Sequence, residues 1–352
     1  MRILQVGVGS MGTRRLRDLS QRSDCSLALL EPRKDRRDRV TERFGIPVFE
    51  HLAEAMTWKP EALVISTPPD HHCEYIQLAL DEGLHHFCEE HIWTFDPDAI
   101  RTISEKKGLV SASSCSAHFL PVIRRLRQIV EERLGRLQNY QMMLSTWALS
   151  WHPEEGSEFY ARHRETSAAR EMVPFELLYL NHVFGRPTRV AGSVSRLGNL
   201  EIESEDTWSL QMLLESGAHG QLTVLMSSPS SARRGVCFGT NGSVAFDVFS
   251  GEIFYSVPGF PEVRISCGPQ CDVIESAYKE EIDTFVETVQ GRATWPCGYE
   301  DSAIATGTLA AAELSSITGR WEPVTSRRQP GKTPDDYPEV RAQGPIFTAQ
   351  SG

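Results

Sequence analysis

The sequence predicts an α/β protein with two domains: an N-terminal doubly wound parallel sheet, and a C-terminal α/β domain with an open, mainly antiparallel sheet. Three observations support this. The first third of the chain alternates short apolar runs with helical patterns, which is typical of βαβ units. From about residue 136 the apolar runs lengthen and alternate with polar residues, as in antiparallel strands. The 352 residues also exceed what one hydrophobic core usually needs.

The N-terminal domain is predicted to span residues 1–122. A buried strand over residues 2–9 is rich in apolar residues and ends in glycine, and a helix is expected from Ser10. Another helix follows Asp70, which is expected to cap it, and ends at Gly83. The later strand candidates cover residues 26–31, 61–67, 85–90 and 109–115.

The C-terminal domain is predicted to span residues 123–325, after a linking helix over residues 119–135. Asn241 and Gly242 have the pattern of a β-hairpin turn. Residues 326–352 are polar and rich in Pro and Gly, which predicts an extended tail. The strand candidates cover residues 136–147, 188–198, 206–215 and 219–228, and two closing helices cover residues 278–291 and 300–319.

The composition argues against several classes of partner. The chain has 47 acidic and 36 basic residues, a net charge of −11, and such a surface repels nucleic-acid phosphates and anionic membranes. No segment approaches the roughly 20 apolar residues that span a bilayer, and the opening residues lack a signal-peptide cleavage site. The eight cysteines form no C-x-x-C pair, which favours reduced thiols. We therefore expect a cytoplasmic protein.

A G-x-G-x-x-G motif at residues 7–12 lies between the first predicted strand and its helix. Gly7 permits a tight turn, Gly9 lets the backbone approach a diphosphate, and Gly12 lets helix and strand pack closely. The N–H groups of Ser10 and Met11 are at the helix start, where diphosphates bind. The motif therefore predicts a Rossmann dinucleotide-binding domain, and the alternative is a glycine-rich turn without a ligand.

Glu31 ends the second predicted strand, 22 residues after Gly9. An acidic residue near this offset accepts hydrogen bonds from the adenosine ribose hydroxyls and repels a 2′-phosphate. This favours NAD as the cofactor. NADP is the alternative, because Arg33 and Lys34 follow directly and could hold a phosphate.

The segments beyond the glycine motif resemble a known family. STPPDHHCEYIQLAL and DEGLHHFCEEHI are similar to the T-P-x-x-x-H and G-K-H-V-x-C-E-K-P motifs of the Gfo/Idh/MocA oxidoreductases. HFLP, FGRP and GTNGS match further motifs, and the resemblance covers roughly residues 2–325. The matching residues of the first two segments are Thr67, Pro68, His72, Ala79, Leu80, Gly83, His85, Cys88 and Glu89.

The resemblance implies a Rossmann domain with NAD(P), substrates that are sugars, cyclitols or nucleotide-linked sugars, and an open sheet that forms an oligomer interface. A homodimer or homotetramer is therefore expected. The cofactor-binding residues implied beyond the glycine motif are Thr67, Pro68, His72 and Glu89. Substrate contacts are expected at Tyr160 and His163.

This chain departs from the family at the acid/base positions. Glu90 replaces the motif lysine and His91 the proline, whereas Phe175 and Leu178 replace the catalytic histidine and its companion aspartate. Neither Phe nor Leu can transfer a proton. The candidate catalytic groups are instead Glu90, His91, Glu176 and Tyr179.

Three interpretations of these departures stay open. In the first, the reaction is retained but other groups carry it out: the base is Glu90, whose pKa is raised by Glu89, or His91. The protein can instead be a nucleotide-binding regulator without turnover, or can use a tightly bound NAD for elimination or epimerisation. Each candidate residue could also have a purely structural role: Glu176 could form a salt bridge, for example, and Tyr179 could be part of the core.

No metal site is predicted, because neither adjacent histidine pair can place both rings on one ion.

Overall fold

The computed structural model describes residues 1–90, 96–148, 163–164, 168–200 and 202–326. The helices are α1 Ser10–Leu19, α2 Lys34–Phe44, α3 Leu52–Thr57, α4 His72–Glu82, α5 Pro97–Lys107, α6 Pro121–Glu132, α7 Ala168–Phe184, α8 Gln270–Val289 and α9 Tyr299–Thr318. The strands are β1 Arg2–Val6, β2 Ser26–Leu30, β3 Val48–Phe49, β4 Ala62–Ile65, β5 His85–Cys88, β6 Ser111–Ser113, β7 Leu137–Trp147, β8 Pro187–Ser195, β9 Thr207–Leu214, β10 His219–Leu225, β11 Ser227–Gly239, β12 Gly242–Asp247, β13 Glu252–Ser256, β14 Val263–Ser266 and β15 Glu322–Pro323.

The chain divides into two compact units. The described residues of the first unit are 1–90, 96–119 and 274–300, and the second unit holds the remaining described residues. Most of α8 therefore belongs to the first unit, although it lies late in the sequence. It contributes Ile282, Phe285 and Val286 to the same apolar cluster as Ile3 of β1. Burial of these side chains fixes α8 against the N-terminal sheet.

The first unit contains a six-stranded sheet in the order β3-β2-β1-β4-β5-β6, and every pairing is parallel. The strand order reverses between β1 and β4, which is the point where ligands bind to doubly wound sheets. Ile3 and Leu4 of β1 are fully buried in two separate clusters. Apolar side chains therefore cover both faces of the sheet, as parallel strands require. The predicted doubly wound fold is confirmed.

The second unit contains a nine-stranded sheet in the order β14-β13-β12-β11-β7-β10-β9-β8-β15. The pairing of β10 with β7 is parallel, and the remaining pairings are antiparallel. Burial alternates along β9, where Trp208, Leu210 and Met212 are buried and Ser209 and Gln211 are exposed. This alternation is typical of a sheet with one face packed on a core. The predicted open, mainly antiparallel sheet is confirmed.

Two local predictions are wrong. Asp70 does not cap α4, because Pro69–His71 form a 3-10 turn first and no side chain caps either segment. The β11–β12 turn consists of Thr240 and Asn241, since Gly242 is already paired with Gly239. A Cβ at Gly242 would lie 2.2 Å from the carbonyl oxygen of Ser256, so this glycine is needed for strand packing.

Two further predictions concern the class of the protein. No helix of the described chain has the length and apolar character needed to cross a membrane. The eight cysteines are all unpaired with one another in the structure.

Candidate functional site

Two glycines of the turn between β1 and α1 are required by the packing of the protein itself. Gly7 has a φ of +81°, and a Cβ there would lie 2.7 Å from the carbonyl oxygen of Ser66. A Cβ at Gly12 would lie 2.4 Å from the carbonyl oxygen of Gly7. Real Cβ atoms do not approach backbone atoms this closely, so both positions need glycine to build the turn.

Gly9 is different, because no contact in the described part of the chain requires it to be glycine. Its φ is −67°, and a Cβ there would meet no atom of the described residues within 4 Å. It precedes α1, whose first turn has neither a capping side-chain hydrogen bond nor an acidic residue. The open space beside Gly9 and the amide groups at the start of α1 together suit an anion. The residues present therefore fit the diphosphate of a dinucleotide.

Glu31 lies at the end of β2, where its carboxylate is held by backbone groups. Oε2 accepts a hydrogen bond from the N–H of Val8 at 3.1 Å, and Oε1 accepts one from the N–H of Arg33 at 3.0 Å. The Arg36 guanidinium is 3.8 Å from Oε2. The side chain is only 3% exposed, so a negative charge is fixed beside the glycine turn. This arrangement suits ribose hydroxyls as donors and disfavours a 2′-phosphate.

The basic residues that follow Glu31 have acidic partners of their own. Nη2 of Arg33 bonds to Asp35 at 3.0 Å, and Nζ of Lys34 bonds to Asp38 at 2.7 Å. Both pairs are exposed and therefore weak. A phosphate would therefore compete only with these weak pairs, and the preference for NAD rests on the Glu31 carboxylate.

His72 begins α4 and holds the loop that follows β4. Its Nε2 lies 2.9 Å from the carbonyl oxygen of Thr67, next to Pro68. The ring is 1% exposed, and burial lowers its pKa to about 4. The imidazole is therefore neutral at pH 7, and its Nε2–H donates to the Thr67 carbonyl. Its contact with a cofactor stays a prediction.

Glu89 directly follows β5 and forms a forked ion pair with Arg15 of α1. The Glu89 carboxylate accepts from Arg15 Nε at 2.8 Å and from Nη2 at 3.0 Å, while Ser66 Oγ donates to it at 3.2 Å. Both carboxylate oxygens are thus engaged. Glu89 thus joins α1 to the ends of β4 and β5, and its predicted contact with a cofactor stays a prediction.

Glu90 follows at the same end of the sheet and is 4% exposed. It lies close to Tyr299, whose pKa is raised well above its ordinary value by burial and then by the charges of Cys88 and Glu90. Its neighbour in the motif, His91, lies outside the described residues, as does Tyr160. His163 is exposed, and its Nδ1 is 3.0 Å from Oε2 of Glu203.

In the second unit, the structure brings Glu176 and Tyr179 together with Arg233 of β11. The Tyr179 hydroxyl donates to Glu176 Oε2 at 2.6 Å, and Nη2 of Arg233 is 2.8 Å from Glu176 Oε1. The guanidinium also lies over the rings of Tyr179, at 5.3 Å, and Phe175, at 5.6 Å. All three polar side chains are buried. Glu176 therefore lies in a buried salt bridge, and Tyr179 is part of the core of the second unit.

Residues 1–106 match the model of an oxidoreductase family with an NAD-binding Rossmann fold, and residues 123–245 match the model of the Gfo/Idh/MocA C-terminal domain. The chain belongs to the Gfo/Idh/MocA oxidoreductase family. The family assignment, the oxidoreductase class and a nicotinamide dinucleotide as cofactor are thus confirmed as predicted. A search of curated proteins finds no match.

Solved structures share the fold of this family member. An oxidoreductase from Agrobacterium radiobacter, in complex with NAD+, L-tartaric acid and magnesium, has a TM-score of 0.81 at 13% identity, covering 92% of this chain and 98% of its own. A levoglucosan dehydrogenase in complex with NADH and levoglucosan has a TM-score of 0.79 at 14% identity, covering 92% and 99%. The WlbA dehydrogenase from Bordetella pertussis, in complex with NADH and UDP-GlcNAcA, has a TM-score of 0.76 at 16% identity, covering 92% and 98%.

Two buried arginines that contact the candidate groups, Arg15 and Arg233, were not predicted from the sequence. Arg15 is fully buried and Arg233 is 4% exposed, yet each occurs in a sequence context that suits a surface helix or strand. Neither position belongs to a motif. In the described part of the chain, no group of three or more His, Cys, Asp or Glu side chains could hold a metal ion.

Proposed function

We propose that the protein is an NAD-dependent oxidoreductase that transfers hydride between nicotinamide C4 and the carbinol carbon of a sugar, a cyclitol or a nucleotide-linked sugar. The observation that carries the cofactor assignment is the open space at Gly9, where a Cβ would meet no atom of the described chain within 4 Å and a diphosphate could approach the backbone. The fixed carboxylate of Glu31 supports NAD over NADP. When bound, NAD supplies the hydride acceptor, and the chain supplies position and proton transfer.

Glu90 is the proposed proton acceptor. As hydride leaves the carbinol carbon, the hydroxyl proton moves to the Glu90 carboxylate, and the carbon–oxygen bond becomes a carbonyl. Glu90 lies beyond the end of β5, where ligands of doubly wound sheets gather. His91 stays the second candidate at this position. Glu176 and Tyr179 are proposed to act structurally, because Arg233 already neutralises the carboxylate.

Two structural neighbours support the substrate class, since one was solved with levoglucosan and another with UDP-GlcNAcA. We extend a carbohydrate substrate to this chain on that basis, with Tyr160 and His163 as the proposed substrate contacts. A cytoplasmic homodimer or homotetramer is part of the same proposal.

The test is to incubate purified protein with NAD and a panel of sugars, cyclitols and nucleotide sugars, while recording the absorbance of NADH. We expect at least one compound to be oxidised. The carbonyl product of that compound should be reduced when it is incubated with NADH. Bound NAD without any conversion would instead favour a regulator. Conversion of a substrate without net NADH would favour elimination or epimerisation on a resident NAD, so product analysis accompanies the assay.

A further inference from the structure

Arg15 is a fully buried arginine that is shared between two carboxylates. Beyond its forked pair with Glu89, its Nη2 bonds to Glu281 Oε2 at 2.6 Å, and its Nη1 donates to the carbonyl of Tyr278 at 3.0 Å. Its guanidinium lies 4.8 Å from the ring centre of Phe87 in β5. Burial lowers the pKa of Arg15, but Glu281 and Glu89 outweigh this effect and raise it above its ordinary value. The charge is therefore permanent.

The partners of Arg15 reach four neighbouring parts of the first unit. Glu89 holds the end of β5 and, through Ser66 Oγ, the end of β4. Glu281 of α8 accepts from Ser114 Oγ at 3.0 Å and from the N–H of Cys115 at 2.6 Å, just after β6. One guanidinium thus fixes the ends of three adjacent strands relative to α1.

These three strands form one half of the sheet. In a sheet of order 3-2-1-4-5-6, the two halves each hold one mononucleotide, and the acid after β2 marks the adenosine half. Glu31 takes that position here, so the ends of β4, β5 and β6 border the nicotinamide half. This step rests on the proposed function, since it needs a bound dinucleotide.

We propose that Arg15 is a positioning residue for the nicotinamide half of the site, which it builds by holding Glu89 and Glu281. Lysine cannot replace it, because an ammonium group lacks the planar fork that engages both Glu89 oxygens and Glu281 together. Loss of the fork releases the Glu89 side chain and its hydrogen bond from Ser66 Oγ, whereas the bond between the Val8 N–H and Glu31 in the adenosine half does not involve these groups.

The test compares NAD with ADP-ribose, which has the same adenosine and diphosphate but no nicotinamide, by calorimetric titration. For Arg15→Lys we expect an about tenfold weaker affinity for NAD, the scale of one lost charged hydrogen bond, with ADP-ribose unchanged. Ser66→Ala removes only the hydrogen bond from the Ser66 hydroxyl to Glu89. It should therefore raise the ratio of the NAD dissociation constant to the ADP-ribose dissociation constant by a smaller factor than Arg15→Lys does. Arg22→Lys is the matched control, because Arg22 bonds to Asp24, Asp283 and Glu287 instead.

Equal losses for both ligands in Arg15→Lys would mean general damage and would overturn the proposal. An unchanged ratio in both Arg15→Lys and Ser66→Ala would overturn it as well. If Arg15→Lys does not fold, Ser66→Ala decides the question alone. Failure of the wild-type protein to bind either ligand would instead refute the proposed function, which is a separate result.

Discussion

The backbone N–H of Val8 donates to the carboxylate of Glu31 at 3.1 Å, so the end of β2 is tied to the middle of the glycine turn. This bond keeps a negative charge where the adenosine ribose would bind, and a second bond from the N–H of Arg33 holds the other oxygen. The carboxylate cannot turn away from a 2′-phosphate without losing both hydrogen bonds. The proposed preference for NAD over NADP therefore rests on a charge that the turn itself holds in place.

Glu31→Gln should relax that preference. The amide oxygen can still accept from Val8, but the charge that repels a 2′-phosphate is gone. We expect the preference for NAD over NADP to fall by about tenfold, a modest part of what like charges in contact cost. Dissociation constants for both nucleotides measure the effect. Glu42→Gln, an exposed change on α2, is the control, and an equal effect there would remove the assignment from Glu31.

Gly9→Ala should separate ligand binding from folding. The added Cβ meets no atom among the residues that the structure describes, so the free energy of unfolding should change by less than about 1 kcal/mol, the scale of a helix-cap substitution. NAD affinity should nevertheless fall sharply, because the methyl group occupies the diphosphate's space. Gly12→Ala is the contrasting variant, since its Cβ would clash with Gly7, and it should lose about 1–3 kcal/mol of stability. A strong loss of stability in Gly9→Ala would contradict the proposal that Gly9 serves ligand binding and not folding.

Glu90→Gln should abolish turnover while NAD affinity stays nearly unchanged. The amide keeps the volume of the buried side chain but cannot accept the hydroxyl proton. Single-turnover rates and NAD titrations on the same preparation measure both quantities. Glu105→Gln, an exposed change on α5, is the control. A normal rate in Glu90→Gln would exclude Glu90 from the mechanism and leave His91 as the remaining candidate there.

Stability should decrease in mild acid because of buried histidines. Burial lowers the pKa of His72 from 6.5 to about 4, so below pH 6.5 the unfolded chain binds a proton that the folded chain does not. The resulting loss grows as the pH falls towards 4 and is on the order of 3 kcal/mol. His72→Gln, which can still donate to Thr67, should flatten this dependence in urea unfolding between pH 7.5 and 5. The exposed His219→Gln should not.

Arg233→Met should destabilise the second unit by about 3–5 kcal/mol, because it leaves the Glu176 carboxylate buried without its cation. The double variant Arg233→Met with Glu176→Gln should recover part of that loss. Chemical denaturation measures both, with Arg234→Met at the next, exposed position of β11 as the control. A stable Arg233→Met protein that has lost only turnover would instead return Glu176 to the catalytic candidates.

Much of the fold was predictable because its signals are local. The first strand, predicted over residues 2–9 and found over Arg2–Val6, the glycine motif and the acid at position 31 are close in sequence, and each reflects side-chain periodicity or backbone requirements. Errors occurred where contacts with another strand decide the local structure. Gly242 is one case: it is paired with Gly239, and its close contact with Ser256 of β13 needs glycine in the strand, so the turn lies one residue earlier than predicted.

By itself, the sequence determined the α/β class with its parallel and mainly antiparallel sheets, the glycine turn and the acid beside it. Only the tertiary structure decided which charges are buried together: Arg15 meets Glu281 across 266 residues of sequence, and Arg233 meets Glu176 across 57. An arginine in a helix has the same local pattern whether it faces water or carboxylates. Its environment depends on which distant element packs against it, and that packing follows from burial of the whole core.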